Sequence, residues 1–327
     1  MSNLEREPAE LVCEYIEAAA GPDAVEILQA REVPLGGPRA MPVHRTLPQR
    51  RRTTIGAWCF VDHYGPDDVS TTGGMVVPPH PHTGLQTASW LFAGEIEHRD
   101  SVGSRATVRP GELNLMTAGR GIAHSEVSTP GTTTLHGVQL WIALPGRVRD
   151  ATAFFERHDA ARATLDGTEV RVFIGELAGA RSAASVFSPL LGAQLDLPPH
   201  ADVTVPLDPG FEHGILVDAG PVHLDGTAAT RTELAYLKPG RAVVRLRAGQ
   251  DGGRIVLLGG EPFGEQLVMW WNFIGRSHDE IVAFRGQWQR EVIAGERADG
   301  RFGAVDGYPG RALPAPELPT VRLKPRG

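Results

Sequence analysis

The sequence predicts an all-β protein built from two β-domains in tandem. Its 327 residues are enough for two β-domains of ordinary size, each with its own core. The 39 glycines and 26 prolines, beside an apolar content of 41%, suit many short strands joined by tight turns. Runs with β character recur at short intervals between these turns. That spacing favours barrels or sandwiches over an alternating βα fold.

The N-terminal residues form the first predicted element. Residues 4–19 have apolar side chains at helical spacing, which predicts a short amphipathic helix that Gly21-Pro22 ends. We interpret residues 1–29 as a helical extension ahead of the first β-domain.

The first β-domain is predicted over residues 30–150 and the second over 169–290, with a linker at 151–168. The turn Arg109-Pro110-Gly111 in the first domain has a counterpart in Lys238-Pro239-Gly240 in the second, a hint of internal duplication. The predicted strands of the first domain include Trp58–Val61, Gln86–Phe92, Ala106–Val108, Leu113–Met116 and Val138–Leu144. Those of the second include Val170–Ile174, Ala193–Leu197, Val203–Val205, Gly214–Val217, Leu234–Leu237 and Ile255–Leu258.

A helix is predicted to close the second domain at residues 277–291. Ser277 and Glu280 have the spacing of a capping box, and Ile281, Phe284 and Trp288 form an apolar stripe. Residues 291–327 are rich in Pro, Gly and Arg, and we expect an irregular tail that wraps the surface.

Charge and cysteine content exclude several classes of function. The net charge of −7 argues against direct nucleic-acid binding through a basic face, and Arg50-Arg51-Arg52 is too short to change this. Two cysteines cannot build a disulfide framework, and Cys59 lies in an apolar run that predicts a buried thiol. The acidic N-terminus is not a signal peptide, and no window is apolar enough to span a membrane. We therefore expect a cytoplasmic protein.

Two pairs of polar residues are the candidate metal ligands. His80 and His82 are two residues apart, and His124 and Glu126 repeat that spacing. Side chains at i and i+2 of a strand point to the same face. Two such strands can therefore present three imidazoles and one carboxylate to a common point inside a barrel.

The residues around these pairs match a known pattern. Gly74 precedes His80 with five residues between, and Gln86 follows His82 with three between. Gly111 precedes Thr117 with five residues between, and Gly119 follows Thr117 at i+2, so the spacing is close to the two-part cupin signature. The strings FVDHYGP (60–66), PPHPHTGLQT (78–87), MTAGRGIAHSE (116–126), GVQLWIALP (137–145) and VMWWNFIGRSHDEI (268–281) resemble the pirin family. The resemblance covers residues from about 30 to 290.

Similarity to pirins implies two tandem cupin barrels of the double-stranded β-helix or jelly-roll type, with a few short helices. It implies one metal, in the N-terminal barrel, on His80, His82, His124 and Glu126. Gln86 stands where many pirins have Glu, so a base role for a carboxylate at that position is in doubt.

The donor set does not choose the metal. Three imidazoles and a carboxylate suit Fe(II), but Mn, Ni, Cu or Zn could also bind them. The family resemblance favours Fe(2+).

Other polar and aromatic residues have more than one interpretation. His98 and Asp100 share a strand face, and we favour exposed side chains over partners that orient a metal ligand. His63 could line the site entrance or stabilise a turn. Trp270 and Trp271 are interpreted as packing residues. His200, His213 and His223 are isolated, and we expect no metal in the second barrel.

Three hypotheses for function follow. The first is a quercetin 2,3-dioxygenase-type enzyme that uses O2 to open a flavonol-like aromatic substrate, with Glu126 or a group near it taking the hydroxyl proton. The second is a non-catalytic iron-dependent redox sensor that binds a partner protein. The third, isomerase or hydrolase chemistry, finds no support in the second barrel.

Overall fold

The computed structural model describes residues 24–35, 41–297 and 299–327. The helix predicted at residues 4–19 lies outside these ranges. Within them the chain is almost entirely β. The two helices are α1 (Val69–Thr72) and α2 (His278–Trp288), and α2 continues into a π-helical turn at Gln289–Ile293. In the parts of the chain that the structure describes, no helix has the length and apolar character needed to cross a bilayer.

Twenty-six strands are described. The first twelve are β1 (Glu26–Leu28), β2 (Arg31–Leu35), β3 (Met41–Leu47), β4 (Trp58–Asp68), β5 (Val76–His82), β6 (Leu85–Ala93), β7 (Ile96–Asp100), β8 (Arg105–Val108), β9 (Glu112–Thr117), β10 (Ile122–Ser128), β11 (Thr134–Ala143) and β12 (Phe154–Asp159). The rest are β13 (Ala161–Leu165), β14 (Thr168–Ile174), β15 (Glu176–Leu177), β16 (Ala180–Arg181), β17 (Leu190–Leu197), β18 (Asp202–Pro206), β19 (Glu212–Ala219), β20 (Val222–Leu224), β21 (Thr227–Ala229), β22 (Leu234–Leu237), β23 (Val243–Ala248), β24 (Gly253–Gly260), β25 (Val268–Trp270) and β26 (Phe273–Gly275).

These strands build two barrels of the same design, which confirms the predicted all-β fold of two tandem barrels. The first barrel combines a seven-stranded sheet, β12-β9-β6-β11-β4-β3-β2, with a four-stranded sheet, β5-β10-β7-β8. The second combines β1-β22-β19-β24-β17-β14-β13 with β18-β23-β20-β21. All eleven strand runs predicted from the sequence fall within strands, except that Leu144 lies one residue beyond β11.

The segment between the barrels is itself made of strands. In residues 151–168, β12 pairs with β9 of the first barrel, and β13 pairs with β14 of the second. At the other end of the chain, β1 pairs with β22 of the second barrel although β2 belongs to the first. Strand β12 is therefore hydrogen-bonded to the first barrel and leads into the second. Strand β1 is hydrogen-bonded to the second barrel and leads into the first.

The two seven-stranded sheets share an apolar interface. Trp58 and Trp90 of the first barrel cluster with Phe173, Leu216 and Val256 of the second. The Trp90 and Phe173 rings stack with centroids 4.7 Å apart. Burial of aromatic rings of this size contributes about 1.5–3 kcal/mol per side chain, so the barrels are joined by a core of their own.

The chain then returns to the first barrel. Ile274 N–H donates to Thr83 O, and Leu313 N–H donates to Pro79 O. Gly84 has φ +68°, and a Cβ there would lie 2.7 Å from Ile274 O, so this close approach requires glycine. The returning segment lies beside the strand that carries the first histidine pair.

Helix α2 closes this returning segment. Ser277 Oγ accepts from Glu280 N–H as the capping-box spacing predicts, although the Glu280 carboxylate accepts from Arg276 N–H instead of from the cap residue. Trp270 and Trp271 are buried against Phe273, which confirms their packing role.

Candidate metal centre

The predicted histidine pairs lie on neighbouring strands of the four-stranded sheet. His80 and His82 end β5, and His124 lies on β10, where it pairs with His80. All three side chains are almost fully buried and line one cavity inside the first barrel. Their ligand atoms lie within 4.8 Å of one another. Alternation along the strands therefore brings the three imidazoles together.

The outer ring nitrogen of each histidine has a partner. His80 Nδ1 lies 3.0 Å from Pro78 O, and His82 Nδ1 lies 3.1 Å from Asn272 O. A carbonyl only accepts hydrogen bonds, so both histidines carry their proton on Nδ1. Their Nε2 lone pairs are left to face the cavity.

Two of these inner nitrogens face each other closely. His82 Nε2 and His124 Nε2 are 3.1 Å apart. On the other side of the His124 ring, Nδ1 faces a ring nitrogen of His98. With His82 protonated on Nδ1, its Nε2 can accept a hydrogen bond from His124 Nε2–H, or the lone pairs of both nitrogens can face one cation. Ligands at right angles around a metal with bonds of about 2.1 Å are about 3.0 Å apart. The observed spacing therefore fits a pair of metal ligands.

Burial also keeps the imidazoles in the ligating form. Desolvation lowers the pKa of His80 to about 4, against the raising effect of the Pro78 carbonyl. Desolvation, with repulsion from neighbouring histidines, holds the pKa of His82 and of His124 well below the usual range. Neutral imidazole is the form that binds a metal, so the cluster is ready to bind one at neutral pH.

Glu126 lines the same cavity but lies closer to His98 and His124 than to the full set of three histidines. The backbone register between β10 and β5 shifts between His124 and Glu126. A carboxylate oxygen of Glu126 lies within 4.8 Å of ring nitrogens of His98 and His124. Among the described residues, no grouping within that distance contains all four predicted ligands.

The Glu126 carboxyl is held by polar neighbours. Ser89 Oγ donates to Glu126 Oε1 at 3.1 Å and lies 2.9 Å from the Gln139 side chain. Burial raises the pKa of Glu126, against lowering effects of His98 and Ser89. A carboxyl of raised pKa beside the cavity is suited to proton transfer.

His98 and Asp100 are not exposed, and the preferred interpretation of this pair is wrong. Both are buried, because β7 lies between β10 and β8 and the Phe155 ring stacks on His98 at 4.7 Å. His98 Nδ1 lies 3.4 Å from His124 Nδ1, and His98 Nε2 lies 3.1 Å from Asp100 Oδ2. The pair therefore contacts a predicted ligand.

His63 neither lines the site entrance nor stabilises a turn. It is fully buried between the barrels, where its Nε2 hydrogen-bonds to Asp218 Oδ1 at 2.6 Å. Nε2 of His136 lies 2.6 Å from the same oxygen. These distances are shorter than the about 3.0 Å between ligands of one metal. We therefore describe His63, His136 and Asp218 as the interbarrel clamp, a set of polar contacts between the two barrels.

Gln86 is turned away from the histidines. Its Nε2 donates to Thr117 Oγ1 and to Ser185 O, both at 2.9 Å. The amide therefore ties the first barrel to the segment that precedes β17. Gln86 is not among the residues that line the histidine cavity.

The cavity walls include residues that the sequence did not single out. Phe60 and Trp141 stack with centroids 4.0 Å apart, and the edge of Trp141 contacts His82. Asn272 and Leu313 reach the cavity from the returning segment. The cavity has a volume of about 30 Å³, which is room for one or two waters.

Comparison with known proteins identifies the family. The pirin family model matches residues 40–142, and the model of the pirin C-terminal cupin domain matches residues 192–293. A Pseudomonas aeruginosa protein named "Putative quercetin 2,3-dioxygenase PA1205" is 44% identical over 89% of this chain and 89% of its own length. The chain belongs to the pirin family.

Two further pirin relatives support this assignment. A pirin-like protein of Caulobacter vibrioides is 34% identical over 89% of this chain and 99% of its own. The crystal structure of a quercetin 2,3-dioxygenase from Acinetobacter baumannii superposes with a TM-score of 0.84 at 37% identity, and covers 91% of this chain and 97% of its own. The two-cupin fold of these pirins is therefore shared over nearly the whole chain.

Proposed function

We propose that this pirin is a metal-dependent dioxygenase of the quercetin 2,3-dioxygenase type, which opens the ring of a flavonol with O2. The observation that carries the proposal is the pair of inward-facing Nε2 atoms of His82 and His124 at 3.1 Å, a spacing that fits two ligands of one metal ion. The similarity to proteins named as quercetin 2,3-dioxygenases supports the choice of reaction.

The metal would be held by His80, His82, His124 and Glu126. We propose iron(II), because imidazole and carboxylate donors without thiolate accommodate it and the similarity to pirins favours it over Mn, Ni, Cu or Zn. When bound, such an ion would supply Lewis-acid and redox chemistry to a substrate hydroxyl and O2. The protein's own contribution is to hold three neutral imidazoles in place and to exclude bulk water.

Glu126 is the proposed proton acceptor for the flavonol hydroxyl. Ser89 occupies Oε1 by donating to it, so Oε2 is the atom we assign to the transferred proton. Phe60 and Trp141 offer a flat, stacked aromatic wall beside the histidines. Such a wall suits the planar rings of a flavonol.

The size of the cavity sets a condition on substrate entry. Pockets that enclose ligands of this size measure about 300–1,000 Å³, whereas the volume of this cavity is about 30 Å³. Entry of a flavonol therefore requires the segment at Leu313, which is held by a hydrogen bond to Pro79 O, to move.

The test combines metal analysis with O2 uptake on quercetin, for the wild type and for the double variant His80→Ala, His124→Ala. We expect about one iron per chain and quercetin-dependent O2 uptake, both lost in the variant. Iron binding without O2 uptake would contradict the dioxygenase and favour a non-catalytic iron-dependent binding protein. Absence of metal from iron-supplied wild type would contradict the site itself.

A further inference from the structure

The three clustered histidines are held from behind in two different ways. His80 and His82 have backbone carbonyls at Nδ1, those of Pro78 and Asn272. His124 has the ring nitrogen Nδ1 of His98 instead, at 3.4 Å. A carbonyl can only accept, but an imidazole nitrogen can accept or donate. The proton position on His124 therefore depends on that of His98.

Asp100 decides the proton position on His98. Asp100 Oδ2 lies 3.1 Å from His98 Nε2. A carboxylate only accepts, so Nε2 of His98 carries the proton and Nδ1 presents its lone pair to His124. Phe155 stacks on the His98 ring and fixes its plane.

The carboxylate itself is fixed by the backbone. Asp100 Oδ1 accepts from Val102 N–H at 3.1 Å and from Ser104 N–H at 2.9 Å. These bonds assign one oxygen to the turn after β7 and leave the other for His98. The arrangement is a chain of hydrogen bonds from the turn, through Asp100 and His98, to His124.

We propose that Asp100 and His98 are positioning residues that keep His124 protonated on Nδ1 and its Nε2 available to a divalent metal. This inference rests on the metal site proposed above. Partners that orient ligating histidines in this way typically change metal affinity about 10–100-fold when they are lost. Their loss would also change which atoms bind the metal, whereas a role in packing alone would not.

Asp100→Asn gives the sharpest test. The two backbone N–H groups would hold the amide oxygen of Asn on their side, so its NH2 would face His98 Nε2. His98 would then carry its proton on Nδ1, directed at the Nδ1 proton of His124, and the required tautomer would be lost. We expect Co2+ to bind about 10–100-fold more weakly, with an altered visible absorption spectrum of the protein saturated with Co2+.

A second pair of variants tests His98 without Asp100. Asn at position 98 places an acceptor oxygen near the position of Nδ1, whereas Leu places none. We expect His98→Asn to retain more Co2+ affinity than His98→Leu and to keep the wild-type spectrum. Glu97→Gln is the matched control, because Glu97 lies on the same strand and pairs with Arg99 and Arg105, away from the cavity.

The outcomes separate this inference from the proposed function. Wild-type Co2+ affinity and spectrum in both Asp100→Asn and His98→Leu would overturn the positioning role and leave the metal site intact. Failure of the wild type to bind Co2+ would overturn both. If Asp100→Asn does not fold, the test is the difference in Co2+ affinity between His98→Asn and His98→Leu. Equal Co2+ affinity in these two variants would contradict the proposal.

Discussion

The two barrels have the same strand plan and opposite interiors. Each pairs a seven-stranded sheet with a four-stranded one. The second barrel is filled by one aliphatic cluster that includes Val203, Ile215 and Leu246. The first barrel has histidines, Glu126, Ser89 and Gln139 at the corresponding depth, with apolar clusters on either side.

This contrast shows how a candidate site occupies only one of two barrels that share a strand plan. Aliphatic side chains in the second barrel bury apolar area, the main favourable term in folding. Buried polar groups in the first barrel cost free energy unless they are paired. The first barrel therefore holds its cluster of imidazoles at a cost that apolar burial in both barrels offsets.

The strongest way to break the comparison is to remove a histidine from each barrel. We expect His82→Ala to lose at least about 100-fold in metal affinity, because Nε2 is a proposed ligand. His213→Ala, in the second barrel, is expected to leave metal stoichiometry unchanged. Elemental analysis after dialysis measures both. Equal losses of bound metal in the two variants would show that metal binding is not confined to the first barrel.

A second substitution shortens a large aliphatic side chain in the core of the second barrel. Leu195 is fully buried in its aliphatic cluster, so Leu195→Ala should lower the free energy of unfolding by about 2–5 kcal/mol. Urea unfolding measures this loss. Metal content per folded chain should stay at the wild-type value, and a parallel fall in metal content would contradict the division between barrels.

The pH dependence of stability tests the comparison through His213, a buried histidine of the second barrel. Burial lowers the pKa of His213 to about 4 from 6.5, and neither of its ring nitrogens has a hydrogen-bond partner among the described residues. The unfolded chain therefore binds more protons between pH 6.5 and 4, so this contribution to stability falls as pH is lowered through that range. The full shift corresponds to about 3 kcal/mol.

His213→Leu should remove this pH dependence while leaving stability at pH 7 equal or higher. The measurement is the difference between wild type and variant in urea unfolding at pH 7, 6 and 5. A constant difference across these values would show that His213 does not titrate as its burial requires.

The smallest effect concerns the clamp between the barrels. Burial opposes ionisation of Asp218, but His136 and His63 outweigh it and hold its pKa well below the usual range. Asp218→Asn keeps the shape and removes the charge, so we expect a loss of about 1–3 kcal/mol. Thermal unfolding at pH 7 measures it, with Asp208→Asn on an exposed turn as the control. No change would mean that the clamp adds nothing measurable to the apolar interface and the strand pairings that join the barrels.

Much of the fold was readable because strand signals are local. Runs such as Val170–Ile174 and Ile255–Leu258 carry β-branched residues between turn residues, and each lies in a strand. The convergence of His80, His82 and His124 was readable because i, i+2 spacing fixes the face of a strand. Their ligand roles, with that of Glu126, stay predictions.

The misassigned residues depended on non-local contacts. His98 and Asp100 have the same spacing as the ligand pairs, but only the neighbouring strands and Phe155 show that they are buried. His63 meets Asp218 across 155 residues of sequence. The Asn272 carbonyl that holds His82 is a backbone atom, which no side-chain pattern can reveal.

That carbonyl also sets the order of events while the protein is being made. His82 and Asn272 are 190 residues apart, and ribosomes add about 5–20 residues per second. The first barrel therefore leaves the ribosome about 10–40 s before the acceptor that fixes the proton of His82 exists. On this timing, the contact that orients His82 in the proposed metal centre forms only after the second barrel has been translated and the chain has returned to the first.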